Sequence, residues 1–144
     1  MNEVTFLLPD LSSELPLLYV DGGIRAGFPS PAQDYVDGKL DLNRELIDHP
    51  AATFYARVVG DSMSPSINEG DLLVVDRSLD ASEGCVAVCC LNDEFTVKRL
   101  DISQKKNGIV RLIPDNPNYE PIVVTEEDSF ILWGVVKYVI HKTV

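Results

Sequence analysis

A chain of 144 residues makes one core the natural expectation, with room for a modest arm or linker beside it. Its hydrophobic fraction of 45% is that of an ordinary globular protein. Twelve basic residues against twenty-three acidic ones leave a formal charge of -11, so direct DNA binding is a poor expectation unless a partner supplies positive charge.

The first forty or so residues differ from the rest. They hold Pro9, Pro16, Pro29, Pro31 and the pair Gly22-Gly23, and they show neither a 3.6 nor a 2 period. Residues 1–45 therefore read as an extended N-terminal arm, and 46–144 as the body. Short apolar clusters in the arm, Val4 to Leu8 and Leu15 to Val20, are able to pack onto something. Phe28-Pro29-Ser30-Pro31 favours an extended, polyproline-like course. The N-terminus lacks the basic and apolar regions of a signal peptide. With the stretch from Phe130 to Ile140 too short to span a bilayer, a cytoplasmic location without membrane contact is expected.

From about Ala51 the pattern turns to β, and the fold class expected is mainly β. Strands are predicted near 53–59, 72–76, 85–91, 94–101, 109–114, 122–124 and 130–141, the last bent at Gly134. Asn92-Asp93 predicts a tight hairpin and Asn107-Gly108 a turn. Helical hints are short: Asn43 is placed to cap a turn through Ile47, and Ser64-Pro65 to open another. Cys85, Cys89 and Cys90 fit neither a CxxC redox pair nor zinc-ligand spacing, and read as small buried hydrophobes in a strand. No metal and no cofactor are expected.

Chemistry is suggested first by Gly60-Asp61-Ser62-Met63-Ser64-Pro65, at the end of a predicted strand. A serine there is exposed, and successive backbone N–H groups at the strand-to-turn transition, those of Asp61 and Ser62, are able to form an oxyanion hole. Alone the motif is weak, and Ser62 reads more readily as a turn hydroxyl. A base is needed. His49 precedes Pro50 in a linker and His141 lies near the C-terminus, neither with an Asp in an obvious orienting context; the final Gly of a nucleophile elbow is also missing.

Lysine is the other candidate. Lys98 lies in Phe95-Thr96-Val97-Lys98-Arg99-Leu100, a run that otherwise reads as a core strand, and shares a face with Thr96 and Leu100. Apolar neighbours desolvate a lysine, disfavouring its charged form and making a neutral amine available as a base, the route used by Ser-Lys dyads. An edge-strand lysine that deters aggregation is the bland alternative.

The two elements together carry a resemblance. The run from Leu40 to Met63, the stretch Glu69-Gly-Asp-Leu-Leu-Val-Val-Asp76, Phe95-Thr-Val-Lys-Arg99 and Trp133-Gly-Val-Val136 resemble the LexA/UmuD family of self-cleaving Ser-Lys proteins, of peptidase S24 type. Ala26-Gly-Phe-Pro-Ser-Pro31 is similar to that family's cleavage site. The resemblance runs from about residue 24 to the end. It implies a LexA/signal-peptidase-like β-clip body with Ser62 as nucleophile and Lys98 as general base, cutting the chain's own Ala26-Gly27 bond. A small side chain before that bond and none after it let the arm lie flat in a groove.

Also implied are an SOS-response function as regulatory subunit of an error-prone translesion polymerase, and partners. These are a homodimeric mate, the RecA–single-stranded-DNA filament that stimulates cleavage, a Y-family, UmuC-like polymerase subunit and the replication clamp. Competing readings are a LexA- or phage-type repressor, for which an acidic arm of about forty residues is a poor DNA-binding domain, a signal peptidase, which needs a membrane anchor, and a non-catalytic β-domain.

Overall fold

The structure, a computed structural model, describes residues 3–12, 16–20 and 36–144, with side chains at 3–12 and 40–144. Ala26-Gly27 and the Phe28–Pro31 course lie outside the described residues. Ten strands follow the chain: β1 (Val4–Leu7), β2 (Pro16–Val20), β3 (Val36–Asp41), β4 (Thr53–Val58), β5 (Leu72–Asp76), β6 (Val86–Leu91), β7 (Glu94–Asp101), β8 (Val110–Ile113), β9 (Ile122–Val124) and β10 (Phe130–Ile140). They divide between two compact units, Met1–Pro9 with His49–Val144, and Asp10–Asp48.

In the smaller unit β2 and β3 pair antiparallel, and β3 runs into the single helical turn α1 (Leu42–Leu46). The cap is not the expected Asn43. Asp41 stands at the N-cap in extended conformation and its carboxylate accepts from the Asn43 N–H at 3.0 Å. Both residue types cap well, and the one that leaves the strand first takes the position. Ser64-Pro65 opens turns and no helix.

The larger unit is an eight-stranded antiparallel sheet in the order β1-β4-β5-β10-β6-β7-β8-β9. Strands β4 to β10 stand where β-branched runs between turn residues predict them. The hairpin joining β6 to β7 turns on Asn92 and Asp93 at φ 48° and 68°, the doubly left-handed geometry of a tight hairpin. β10 shifts register between Leu132 and Gly134, the bend expected there, and again between Val136 and Tyr138. Gly134 is needed for closeness: a Cβ there would stand 2.6 Å from Val75 Cγ1.

β1 was expected only as part of an extended arm. Its four residues are too few to register a period, yet in place they alternate, with Val4 buried, Phe6 half-buried, and Thr5 and Leu7 exposed. Phe6 stacks within 4.2 Å of the Trp133 ring and 4.8 Å of Phe95, and β1 pairs with β4 from Val4↔Val58 to Leu7↔Tyr55. Just before it, Glu3 spans two strands with its main chain: its N–H donates to Phe95 O at 3.0 Å and its C=O accepts from Val59 N at 2.6 Å. The sheet thus curls until its first strand meets β7.

Alternation along β6 separates two cores. Val88 joins a cluster with Val97, Val75, Leu73 and Met63, while Ala87 and Cys89 face a second one with Leu100, Leu112 and Val124. Among the described residues no helix is long and apolar enough to cross a membrane. All three cysteines are free; Cys89 is buried as expected, but Cys90 is half-buried and Cys85, also half-buried, stands just before β6. Burial pushes the Cys89 thiol up to about 12, and the thiolate is the reactive form. A thiol reagent at neutral pH should therefore label Cys85 and Cys90 first and reach Cys89 only on unfolding, as mass spectrometry of the modified peptides will check.

Candidate active site

β4 ends at Val58, and two residues later Gly60, at φ +91°, turns the chain back. A Cβ at Gly60 meets nothing within 4 Å, so the requirement is conformational and not steric. The turns from Ser62 to Ser66 follow, pinned by Met63 and Ile67, which are 2% exposed and rooted in the first core. Ser62 is thereby fixed at 6% exposure. This corrects the expectation of an exposed serine.

Lys98 reaches the same point from the middle of β7. In the β6–β7 register Lys98 lies opposite Ala87, and Thr96 opposite Cys89, so the lysine shares its face with Thr96 as period two predicts. Its 3% exposure shows that it is no edge-strand gatekeeper. Nζ lies 2.8 Å from Ser62 Oγ, 2.6 Å from Thr96 Oγ1, 3.1 Å from Val97 O and 2.9 Å from Glu3 Oε1, four oxygens that share at most three N–H groups. Ser62 Oγ in turn donates to Glu3 Oε2 at 2.9 Å, and Thr96 Oγ1 to Glu3 Oε1 at 2.7 Å. Among the described residues no buried side-chain polar atom lacks a hydrogen bond.

A second loop braces the serine turn. The Asn116 N–H donates to Ser62 O at 3.0 Å, and Asn116 Nδ2 to Asp61 O at 2.9 Å. In a trans peptide the C=O and the following N–H point in opposite directions. Turning the Asp61 and Ser62 carbonyls toward Asn116 therefore aims the N–H groups of Ser62 and Met63 away from that loop. Tyr119 donates its hydroxyl to Asp61 Oδ1, and the carboxylate raises the phenol above its ordinary range. Arg99 clasps Asp115 through Nε at 3.1 Å and Nη2 at 2.9 Å, and Ser66 Oγ donates to Asp115 Oδ2 at 2.6 Å.

Both histidines have the aspartate that sequence did not reveal. His49 Nδ1 lies 2.6 Å from Asp76 Oδ2, and His141 Nδ1 lies 2.7 Å from Asp71 Oδ1, each aspartate being almost fully buried. Burial opposes the Asp76 charge, but hydrogen bonds from Ser78 and His49 outweigh it and hold the carboxyl below its ordinary range. These pairs fasten chain segments together, and neither imidazole is a hydrogen-bond partner of Ser62. Sequence reasoning also passed over Thr96, which period two from Lys98 signals, and the turn Asp115-Asn116-Pro117-Asn118-Tyr119, whose composition reads only as a loop. Nothing local marks Glu3, which meets Lys98 across 95 residues.

The sequence profile of the peptidase S24-like family matches residues 18–137. Protein MucA of Salmonella typhimurium is 44% identical over 116 residues, covering 80% of this chain and 77% of that protein. Protein SamA of the same species is 44% identical over 119 residues, 82% of this chain and 80% of its own length. A LexA repressor of Bordetella parapertussis is 39% identical over 122 residues, 84% of this chain but 53% of the repressor.

The brace has a measurable dependence on pH. Arg99 hydrogen-bonding to Asp115 lowers the carboxyl's pKa, Ser66 adding to the effect against partial burial. A depressed carboxyl contributes stability that is present above its unfolded pKa, about 3.9, and lost as pH falls through the folded value. Asp115→Asn should thus lower the melting temperature at pH 7, and the difference from wild type should vanish in strong acid. An unchanged difference at both ends of the titration would show that the charge does not act here.

Proposed function

The chain belongs to the peptidase S24-like family, and we propose that Ser62 is its nucleophile, Lys98 its general base and Ala26-Gly27 the bond that it cuts in itself. It is an SOS-response, UmuD-like protein and, in general terms, a self-cleaving serine peptidase. The observation that carries the finer reading is the buried 2.8 Å contact between Ser62 Oγ and Lys98 Nζ.

In this mechanism the neutral Lys98 amine takes the Ser62 hydroxyl proton as Oγ attacks the Ala26 carbonyl carbon. Charge that develops on the carbonyl oxygen is met by the backbone N–H groups of Asp61 and Ser62; for Ser62, the orientation imposed through Asn116 supports the assignment. The proton then passes to the Gly27 nitrogen as the C–N bond breaks, and water hydrolyses the Ser62 ester. No metal or cofactor takes part. Residues 1–45 serve as the arm, whose first strand β1 pairs with β4 of the body, and 46–144 as the catalytic body.

Cleavage removes four acids and one base, so the formal charge rises by three, from -11 to -8. The 27–144 product acts in the cytoplasm as a homodimeric regulatory subunit of a Y-family, UmuC-like polymerase, with the replication clamp as a further partner. The RecA–single-stranded-DNA filament stimulates the cut by favouring the conformation in which the arm occupies the site. A body of that charge has negligible DNA affinity of its own.

Purified protein at alkaline pH, or with RecA filament, should split into 1–26 and 27–144 by intact mass. Ser62→Ala and Lys98→Ala should each abolish the cut while keeping the fold, with the double variant no worse than either single one. A folded Lys98→Ala chain that cuts at the wild-type rate removes Lys98 as base. His49→Ala should cut normally.

The Asn116 brace is tested in the same assay. Replacing one oxyanion-hole donor typically costs 10²–10³ in rate, and a residue that only orients such a donor should cost less. Asn116→Ala should slow the cut by about tenfold in a chain whose Ser62 and Lys98 are intact. An undiminished rate would mean that the turn holds its orientation without Asn116.

A further inference from the structure

Ser62 Oγ and Lys98 Nζ already have an occupant in front of them, the Glu3 carboxylate. We propose that β1 is a built-in competitor for the substrate groove, with Glu3 as the guard that the cleavage segment must displace. The proposal rests on the reading of Ser62 and Lys98 as nucleophile and base.

Space makes the first argument. A carbonyl under attack must come within about 3–3.5 Å of the nucleophile. Glu3 Oε2 stands 2.9 Å from Ser62 Oγ and Oε1 stands 2.9 Å from Lys98 Nζ. With Glu3 in place Ser62 is 6% and Lys98 3% exposed. The carboxylate and a scissile carbonyl cannot share that position.

Hydrogen-bond direction makes the second. A serine hydroxyl has one proton, and Ser62 Oγ directs it to Glu3 Oε2 at 2.9 Å. Catalysis needs that proton directed to Lys98 Nζ, which stands 2.8 Å from the same Oγ.

The attachment is built and not accidental. Glu3 is held by its main chain at Phe95 and Val59, and the strand behind it buries Val4 and stacks Phe6 on Trp133. An extended segment paired along a sheet edge with a side chain in the site is how a peptide substrate binds by strand addition. Because Glu3 lies N-terminal to Ala26, the same cut that the guard delays also severs its covalent link to the body. Once residues 1–26 dissociate, the 27–144 product has lost its own occupant.

The test uses the full-length chain as wild type, Glu3→Gln and Glu3→Ala, with two readouts: self-cleavage by intact mass, and the rate at which a fluorophosphonate labels Ser62. Both variants keep the main-chain bonds of residue 3, and the isosteric Glu3→Gln carries the test if Glu3→Ala unfolds. Each should label and cleave about tenfold faster than wild type, the factor expected when one charge-assisted hydrogen bond is lost. Variants that label and cleave at the wild-type rate or slower overturn the guard while leaving the cleavage reading standing. Faster labelling with no cut in any chain supports the guard and removes the cleavage reading instead.

Discussion

A lysine amine at 3% exposure is the constraint around which the rest of the structure is arranged. Removing an ammonium from water costs several kcal/mol unless its protons find partners of good geometry. Here the partners come from three places: Thr96 and the strand's own carbonyl on β7, Ser62 from the turn after β4, and Glu3 from ahead of β1. A group buried so expensively is not explained by stability, since an apolar side chain would fill the space at no such cost. Such a burial is what the proposed role of Lys98 as general base requires.

The serine side of the contact is built differently. Lys98 is positioned by strand pairing, which fixes a face and a register, whereas Ser62 sits in turns where the backbone has more freedom. That freedom is removed from outside. Met63 and Ile67 anchor the turn from below, and Asn116 holds two of its successive carbonyls, with Arg99 and Ser66 fastening Asp115 next door. Rigid sheet and braced loop thus meet at 2.8 Å.

Sequence made the body legible because its strands are long runs of β-branched residues punctuated by Asn, Asp, Gly and Pro. Lys98 was legible as anomalous, a charge among Val97, Leu100 and Phe95. The contact between Ser62 and Lys98 was suggested by family resemblance and not by spacing, since 36 residues separate them. Three features escaped for physical reasons. β1 is too short to show a period, and Glu3 has no local signature because its partners come from distant strands. The aspartates of the His49 and His141 pairs are remote in sequence, and a side chain's partner across a sheet is set by register, which one strand read alone does not contain.

Strand order carries a further consequence. The β4–β5 hairpin that leads into and out of the serine turn, and the β6–β7 hairpin that holds the lysine, are not neighbours in the sheet; β10 lies between them. Their register therefore depends on a strand that follows both in the chain: β10 pairs with β5 on one side and with β6 on the other, so a lesion in β10 would be felt between the serine turn and Lys98 although it touches neither.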